Sequence, residues 1–129
     1  MRSYQVEMKF GVSQRSLQWW DEKGLVSPPI VGHARDYTPW HLMQVALVAE
    51  LRKRGASLLE CRFALKELTR MPAARWIVLN ARRRRAHGAG SADEALRIAA
   101  SAGPVYIVAV RHDLLGAVEN TGNKFAKSA

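Results

Sequence analysis

Gly11-Val12-Ser13-Gln14-Arg15-Ser16-Leu17-Gln18-Trp19-Trp20-Asp21-Glu22-Lys23-Gly24 is the stretch whose reading decides the fold. Gly11 permits a tight turn with positive φ after a short first helix over residues 3–10, in which Val6 and Phe10 share the inner face. Ser13 is placed to cap a second helix over 13–23 by accepting a bond from a free N–H at its start. Leu17 and Trp20, three apart, fall on one face with Val12 just before them and pack inward. Gln14, Arg15 and Gln18 fall on another face, free to contact something outside. Gly24 ends the helix, and Lys23 sits at its negative end. Two short helices joined by a glycine turn, the second presenting polar side chains, form the geometry by which a helix enters the DNA major groove.

Outward from this stretch, residues 25–39 contain Pro28, Pro29 and Gly32 between short extended pieces and read as a hairpin-like loop. Thr38-Pro39 is a helix start, a capping hydroxyl followed by a proline at the first helical position. Leu42, Val45, Ala46, Leu47 and Ala49 make that helix well buried, and Gly55 ends it. Ser57 with Glu60 forms a capping box for the next helix, whose inner face carries Leu58, Cys61, Ala64, Leu65 and Leu68. Pro72 stops it.

The periodicity then changes. Trp76–Leu79 reads as a strand and Arg82–His87 as its return strand or a basic loop. Gly88-Ala89-Gly90 reads as a turn. Ser91 or Asp93 caps a helix to about Ala102, Gly103-Pro104 breaks it, and Val105–Val110 is a strand. A last short helix over 112–119 precedes a polar tail. The expected fold class is α+β: a mostly helical domain over 1–71, a small ββαβ-like mixed β/α domain over 72–120, and a flexible tail over 121–129.

The chain has 129 residues, 48% of them hydrophobic, enough to bury a core. Its formal charge of +9 favours a polyanionic partner, nucleic acid being the usual one. Residues 1–70 carry 11 basic and 7 acidic side chains and residues 71–129 carry 9 and 4, so the excess lies in both halves. The single cysteine, Cys61, excludes an internal disulfide framework and a multi-cysteine metal site, and reads as a small buried hydrophobe. His33, His41, His87 and His112 are scattered, with no metal-ligand spacing. No cofactor is expected. No nucleophile–base motif, phosphate loop or paired carboxylate is present, so an enzyme is not expected. Met1–Phe10 lacks a leader signature and no apolar run is long enough to span a bilayer, so a cytoplasmic protein without a membrane partner is expected.

Four groups of residues together carry a resemblance: Gly11-Val12-Ser13; Ser16 to Val26; Arg35-Asp36-Tyr37; and Leu51-Arg52-Lys53-Arg54-Gly55-Ala56-Ser57-Leu58. In order and spacing, over about residues 4–70, they resemble the MerR family of transcription regulators. The resemblance implies a winged helix-turn-helix that binds double-stranded DNA as a homodimer. By position it makes 13–23 the recognition helix, with Ser13, Gln14, Arg15, Ser16, Gln18 and Trp19 as DNA-contacting candidates. Arg35 and Tyr37 would lie on a first wing, and Arg52, Lys53 and Arg54 at a second, both touching phosphates. Gln18 stands where the family usually carries an arginine, which moves affinity toward the wings. Glu7 stands where it usually carries a small buried residue.

Arginine binds guanine bidentately and glutamine adenine, so Arg15, Gln14 and Gln18 suit base readout. The basic groups suit phosphate neutralisation. Trp20 reads as core, Trp19 as core or backbone contact, and Trp40 as packing between wing and helix. Arg82–Arg85 reads equally as a phosphate or acidic-partner contact and as a solvated turn whose charges block edge pairing. No heptad pattern follows Pro72, so dimerisation is expected from residues 75–120. The C-terminal part also resembles, more loosely, the tail of short MerR-like proteins encoded beside toxin genes. An alternative role is therefore an antitoxin that holds a toxin through residues 75–120 and autoregulates through its N-terminal part.

Overall fold

The computed structural model describes residues 1–115. Its elements are α1 (Ser3–Phe10), α2 (Gln14–Glu22), β1 (Ile30–Val31), β2 (Ala34–Arg35), α3 (Pro39–Lys53), α4 (Leu58–Arg70), β3 (Trp76–Asn80), β4 (Arg85–Ala89), α5 (Ala92–Ala102) and β5 (Tyr106–Ala109). The class is α+β, a helical N-terminal part followed by a β/α part.

Among α1–α5, four start on a hydroxyl that accepts from the N–H three residues on: Ser13 from Ser16, Thr38 from His41, Ser57 from Glu60 and Ser91 from Glu94. Each satisfies one of the N–H groups that a helix start leaves without an internal partner. At Thr38 the box is closed by a histidine, whose Nδ1 lies 2.7 Å from the Thr38 hydroxyl and accepts from its N–H. Gly11, at φ 68, ends α1 in the left-handed region and turns the chain into α2.

β1 and β2 form an antiparallel hairpin whose two-residue turn is Gly32-His33, both at positive φ. Such a turn matches the twist of the flanking strands. The Arg2 guanidinium holds the hairpin from below, donating to the carbonyls of Val31 and Ala34.

β3 is the central strand of an antiparallel sheet of order β4-β3-β5. Its side chains alternate between faces. Ile77 and Leu79 join the main core, while Val78 packs with Ala89 and Ala95 beneath α5. The main core runs without a break from Val6 through Leu17, Trp20 and the interior of α3 and α4 to Val108, Val110 and Leu114. The helical and β/α parts therefore share one interior. Cys61 is fully buried in it.

Two local expectations are corrected. Gly88 and Ala89 belong to β4 rather than to a turn. A side chain at Gly88 would bring its Cβ within 2.7 Å of Met71 Sδ and 3.0 Å of Ala74 Cβ, so the glycine is there for close approach of strand to helix end. Of the basic run, Arg82–Arg84 form the turn and Arg85 opens the return strand. Residues 113–115 are helical, and the remainder of the expected last helix and the tail lie outside the described residues.

Candidate nucleic-acid interface

The interface is built from α2 outward. Leu17 and Trp20 are buried and hold the helix to the core, which leaves Gln14, Arg15, Gln18 and Trp19 exposed on the other side. Ser13 and Ser16 are occupied with each other, Oγ to Oγ at 3.0 Å, in the cap itself. Gln18 donates to Glu22 Oε1 at 2.9 Å. Arg15 is exposed, and no acidic side chain among the described residues pairs with it. It is the cation on this helix with an unengaged guanidinium.

The start of α2 has a second capping group that sequence reading missed. Glu7 Oε2 on α1 accepts from Gln14 N–H at 2.7 Å. A carboxylate at a helix N-terminus also complements the positive end of its dipole. Glu7 thus ties α1 to the start of α2. The signal lay in the sequence, an acid in the first helix of the pair, but its partner depends on how α1 folds against α2.

The first wing is tied to the far end of α2. Arg35 Nε donates to Asp21 Oδ2 at 2.6 Å, both side chains about three-quarters buried. Arg35, expected to touch phosphate, engages Asp21 through Nε. Tyr37 is 2% exposed, and its hydroxyl has no hydrogen-bond partner among the described residues. Its ring packs beneath the wing, and burial raises the phenol above its ordinary pKa. At the wing tip the exposed residues are Ile30, Val31 and His33.

The basic end of α3 lies beside the start of α2. An open groove runs from Ser13, Ser16 and Trp19 to Arg52 and Lys53. Arg52 Nη1 donates to Ala56 O at 3.0 Å and so closes the loop into α4. Lys53 and Arg54 share Glu50, at 3.3 and 2.9 Å. The Arg54 hydrogen bond foremost holds the Glu50 carboxyl below its ordinary pKa. Three cations against one carboxylate leave this end positive. The structure therefore brings together the residues of α2 with Arg52 and Lys53, while Arg35 is paired with Asp21 and Tyr37 is buried.

A helix-turn-helix, a hairpin wing fastened to its second helix, and a following pair of capped helices define a winged helix-turn-helix domain. The chain belongs to the MerR family: the family model described as "MerR HTH family regulatory protein" matches residues 1–68. It is similar to the HTH-type transcriptional regulator CueR of Salmonella typhi, 36% identical over 58 residues, which is 43% of this chain and 42% of that protein. It is also similar to CueR of Vibrio cholerae El Tor Inaba N16961, 33% identical over 67 residues, 50% of this chain and 48% of that protein. The chain thus spans less than half the length of these curated relatives. Among the described residues no helix is long and apolar enough to cross a membrane.

Proposed function

We propose that this chain is a sequence-specific, DNA-binding transcription regulator that acts as a homodimer. The observation that carries the reading is the exposed, unengaged Arg15 on a helix whose opposite face is buried at Leu17 and Trp20. Membership of a family of HTH regulatory proteins supports it. In this reading α2 enters the major groove, Arg15 reads a base edge with Gln14 beside it, and Arg52, Lys53 and Arg54 hold a flanking phosphate. Gln18 takes part by exchanging its bond to Glu22 for one to a base, and Trp19 lies against the sugar-phosphate backbone.

Dimerisation is assigned to β5. It is an edge strand of its sheet, so one row of its backbone groups has no strand partner among the described residues. Two half-sites one helical turn apart, about 34 Å or a multiple of it, would then match the two-fold axis.

The test is selection of bound sequences from a random duplex pool with the full chain, repeated with Arg15→Ala. The expected result is a two-fold-symmetric site in the wild type and, in the variant, a loss of preference at one position per half-site costing about 1–3 kcal/mol. Equal weakening on all sequences would show that Arg15 reads no base. Sedimentation of the wild type on the selected duplex should give two chains. One chain, together with capture of a co-expressed toxin by residues 75–120, would favour the antitoxin role instead.

A further inference from the structure

The strongest unassigned feature is the β3–β4 turn with its four consecutive arginines, Arg82 to Arg85. All four are exposed, and among the described residues none has an acidic partner. Elsewhere the basic side chains at Arg35, Lys53, Arg54, Arg70 and Arg111 are each paired with an acid. The arginine turn is thus a concentrated positive charge that the fold leaves unused.

The turn is held rigidly. Asn80, 4% exposed, accepts from Arg83 N–H at 3.0 Å and donates to Ala102 O at 2.8 Å. One buried amide thereby fastens the tip to the C-terminal end of α5. Arg84 sits at φ 52, a conformation an arginine adopts only where the surroundings impose it.

The turn also points in a definite direction. Gly88 on β4 abuts Met71 and Ala74, just past the C-terminal end of α4. Arg84, Arg85 and Ala86 share a groove with Phe63, Lys66, Arg70 and the largely buried Glu67, which Arg70 pairs with, back along α4. The hairpin therefore runs against α4, and Arg84 and Arg85 lie along the middle and C-terminal half of that helix. Toward the start of α4, Arg62 Nη2 donates to the carbonyl of Lys23, the residue that caps α2. Arg62, Lys66 and Arg70 are spaced four apart on the exposed face of α4, a row of about 12 Å. Lys23, Arg62, Lys66 and the arginine tip form one basic ridge that begins at the end of α2, with Arg70 beside it paired to Glu67.

We propose that the β3–β4 hairpin is a third wing, which contacts the phosphates of double-stranded DNA flanking the site read by α2. The inference rests on the DNA-binding reading of α2. Its occupant follows from continuity: the ridge starts at the α2 cap, and a duplex seated on α2 presents its backbone to whatever extends from that end. The contacts are to phosphates, so they add affinity and salt dependence without base preference.

The test uses the full chain, a labelled 30-base-pair duplex of random sequence, and binding measured over a range of potassium chloride concentrations. The variant is R82S/R83S/R84N/R85S, with asparagine at 84 because it tolerates positive φ. The expected result is a slope of log affinity against log salt that is shallower by about 2–3 per chain, with binding near 0.1 M salt weakened roughly tenfold or more. R82K/R83K/R84K/R85K, which keeps the charge, should restore most of the slope. If the quadruple variant melts early, R82S/R83S alone should still lower the slope by about 1–2. An unchanged slope in folded variants, with the wild type binding normally, overturns the third wing and leaves the role of α2 intact. An unchanged slope with lost retention on immobilised polyglutamate overturns it in favour of an acidic protein partner. A wild type that binds no duplex at low salt sinks the DNA-binding function itself, and the hairpin's role with it.

Discussion

Arg35 Nε lies 2.6 Å from Asp21 Oδ2, which joins the first wing to the last turn of α2. Asp21 near a helix C-terminus is unfavourable on its own, because its charge meets the negative end of the dipole. Arg35 offsets this and orients the wing at the same time. Asp21→Asn should therefore lower stability by about 1 kcal/mol in urea unfolding, the pair being partly exposed. In DNA binding, Arg35→Ala and Asp21→Asn should be non-additive, since each removes the same link. Additive losses would mean that Arg35 contacts phosphate independently of Asp21.

Glu7 caps α2 through Gln14 N–H across the turn at Gly11. Glu7→Ala should cost about 1 kcal/mol of stability. Glu7→Gln, which keeps an acceptor but loses the charge, should cost less. Thermal melting of the three proteins orders them. If Glu7→Ala melts with the wild type, the cap contributes nothing in solution.

His41 closes the capping box of α3 with Nδ1 as acceptor from Thr38 N–H, which requires that nitrogen to be unprotonated. Burial lowers its pKa from the ordinary value, against the opposing pull of Asp36. The unfolded chain therefore binds this proton more readily than the folded one. Its contribution is complete above the unfolded pKa of 6.5 and is lost as pH falls through the folded value. Melting temperature should drop between pH 7.5 and pH 5, and His41→Gln, which keeps an acceptor that does not titrate, should flatten that drop.

Burial pushes the Cys61 thiol up to about 11 from 9.0. At pH 8 it is a neutral thiol enclosed by the core, so alkylation of the native protein should be slow and should become fast only in denaturant. The same shift makes the group favour the folded state below pH 9, and that stability is lost as pH rises through about 11. Rapid native-state labelling would show that the core around α4 opens readily.

Asn80 spends both ends of its amide on Arg83 N–H and Ala102 O in a buried position. Asn80→Ala should cost about 1–3 kcal/mol, because both partners lose a bond in a place that water reaches poorly. Asn80→Asp keeps the acceptor but sets a buried carboxylate oxygen against the Ala102 carbonyl, so it should cost at least as much as alanine. Urea midpoints give the order.

The elements that were legible in the sequence are those whose causes are local. Ser13, Thr38, Ser57 and Ser91 each act on an N–H three residues away. The spacing of Leu17 and Trp20 is likewise enough to say which face of α2 is buried and which is left to Gln14, Arg15 and Gln18. Where the partner is distant, the reading stopped short. Nothing near Arg35 announces Asp21, fourteen residues earlier, and nothing near Tyr37 says that its ring is enclosed. Gly88 reads as a turn because glycine usually breaks strands, but here it admits Met71 and Ala74.

By itself, then, the sequence determined the capped starts of α2 to α5, the inward and outward faces of α2, the α+β class and the family, because caps and periodicity act over a few residues. Only the tertiary structure decided that Arg35 pairs with Asp21 and Tyr37 is enclosed, that Glu7 caps α2, that both parts of the chain share one core, and that the arginine turn lies back along α4. Those outcomes depend on which distant surfaces meet, and contact between distant surfaces leaves no periodic trace in the chain.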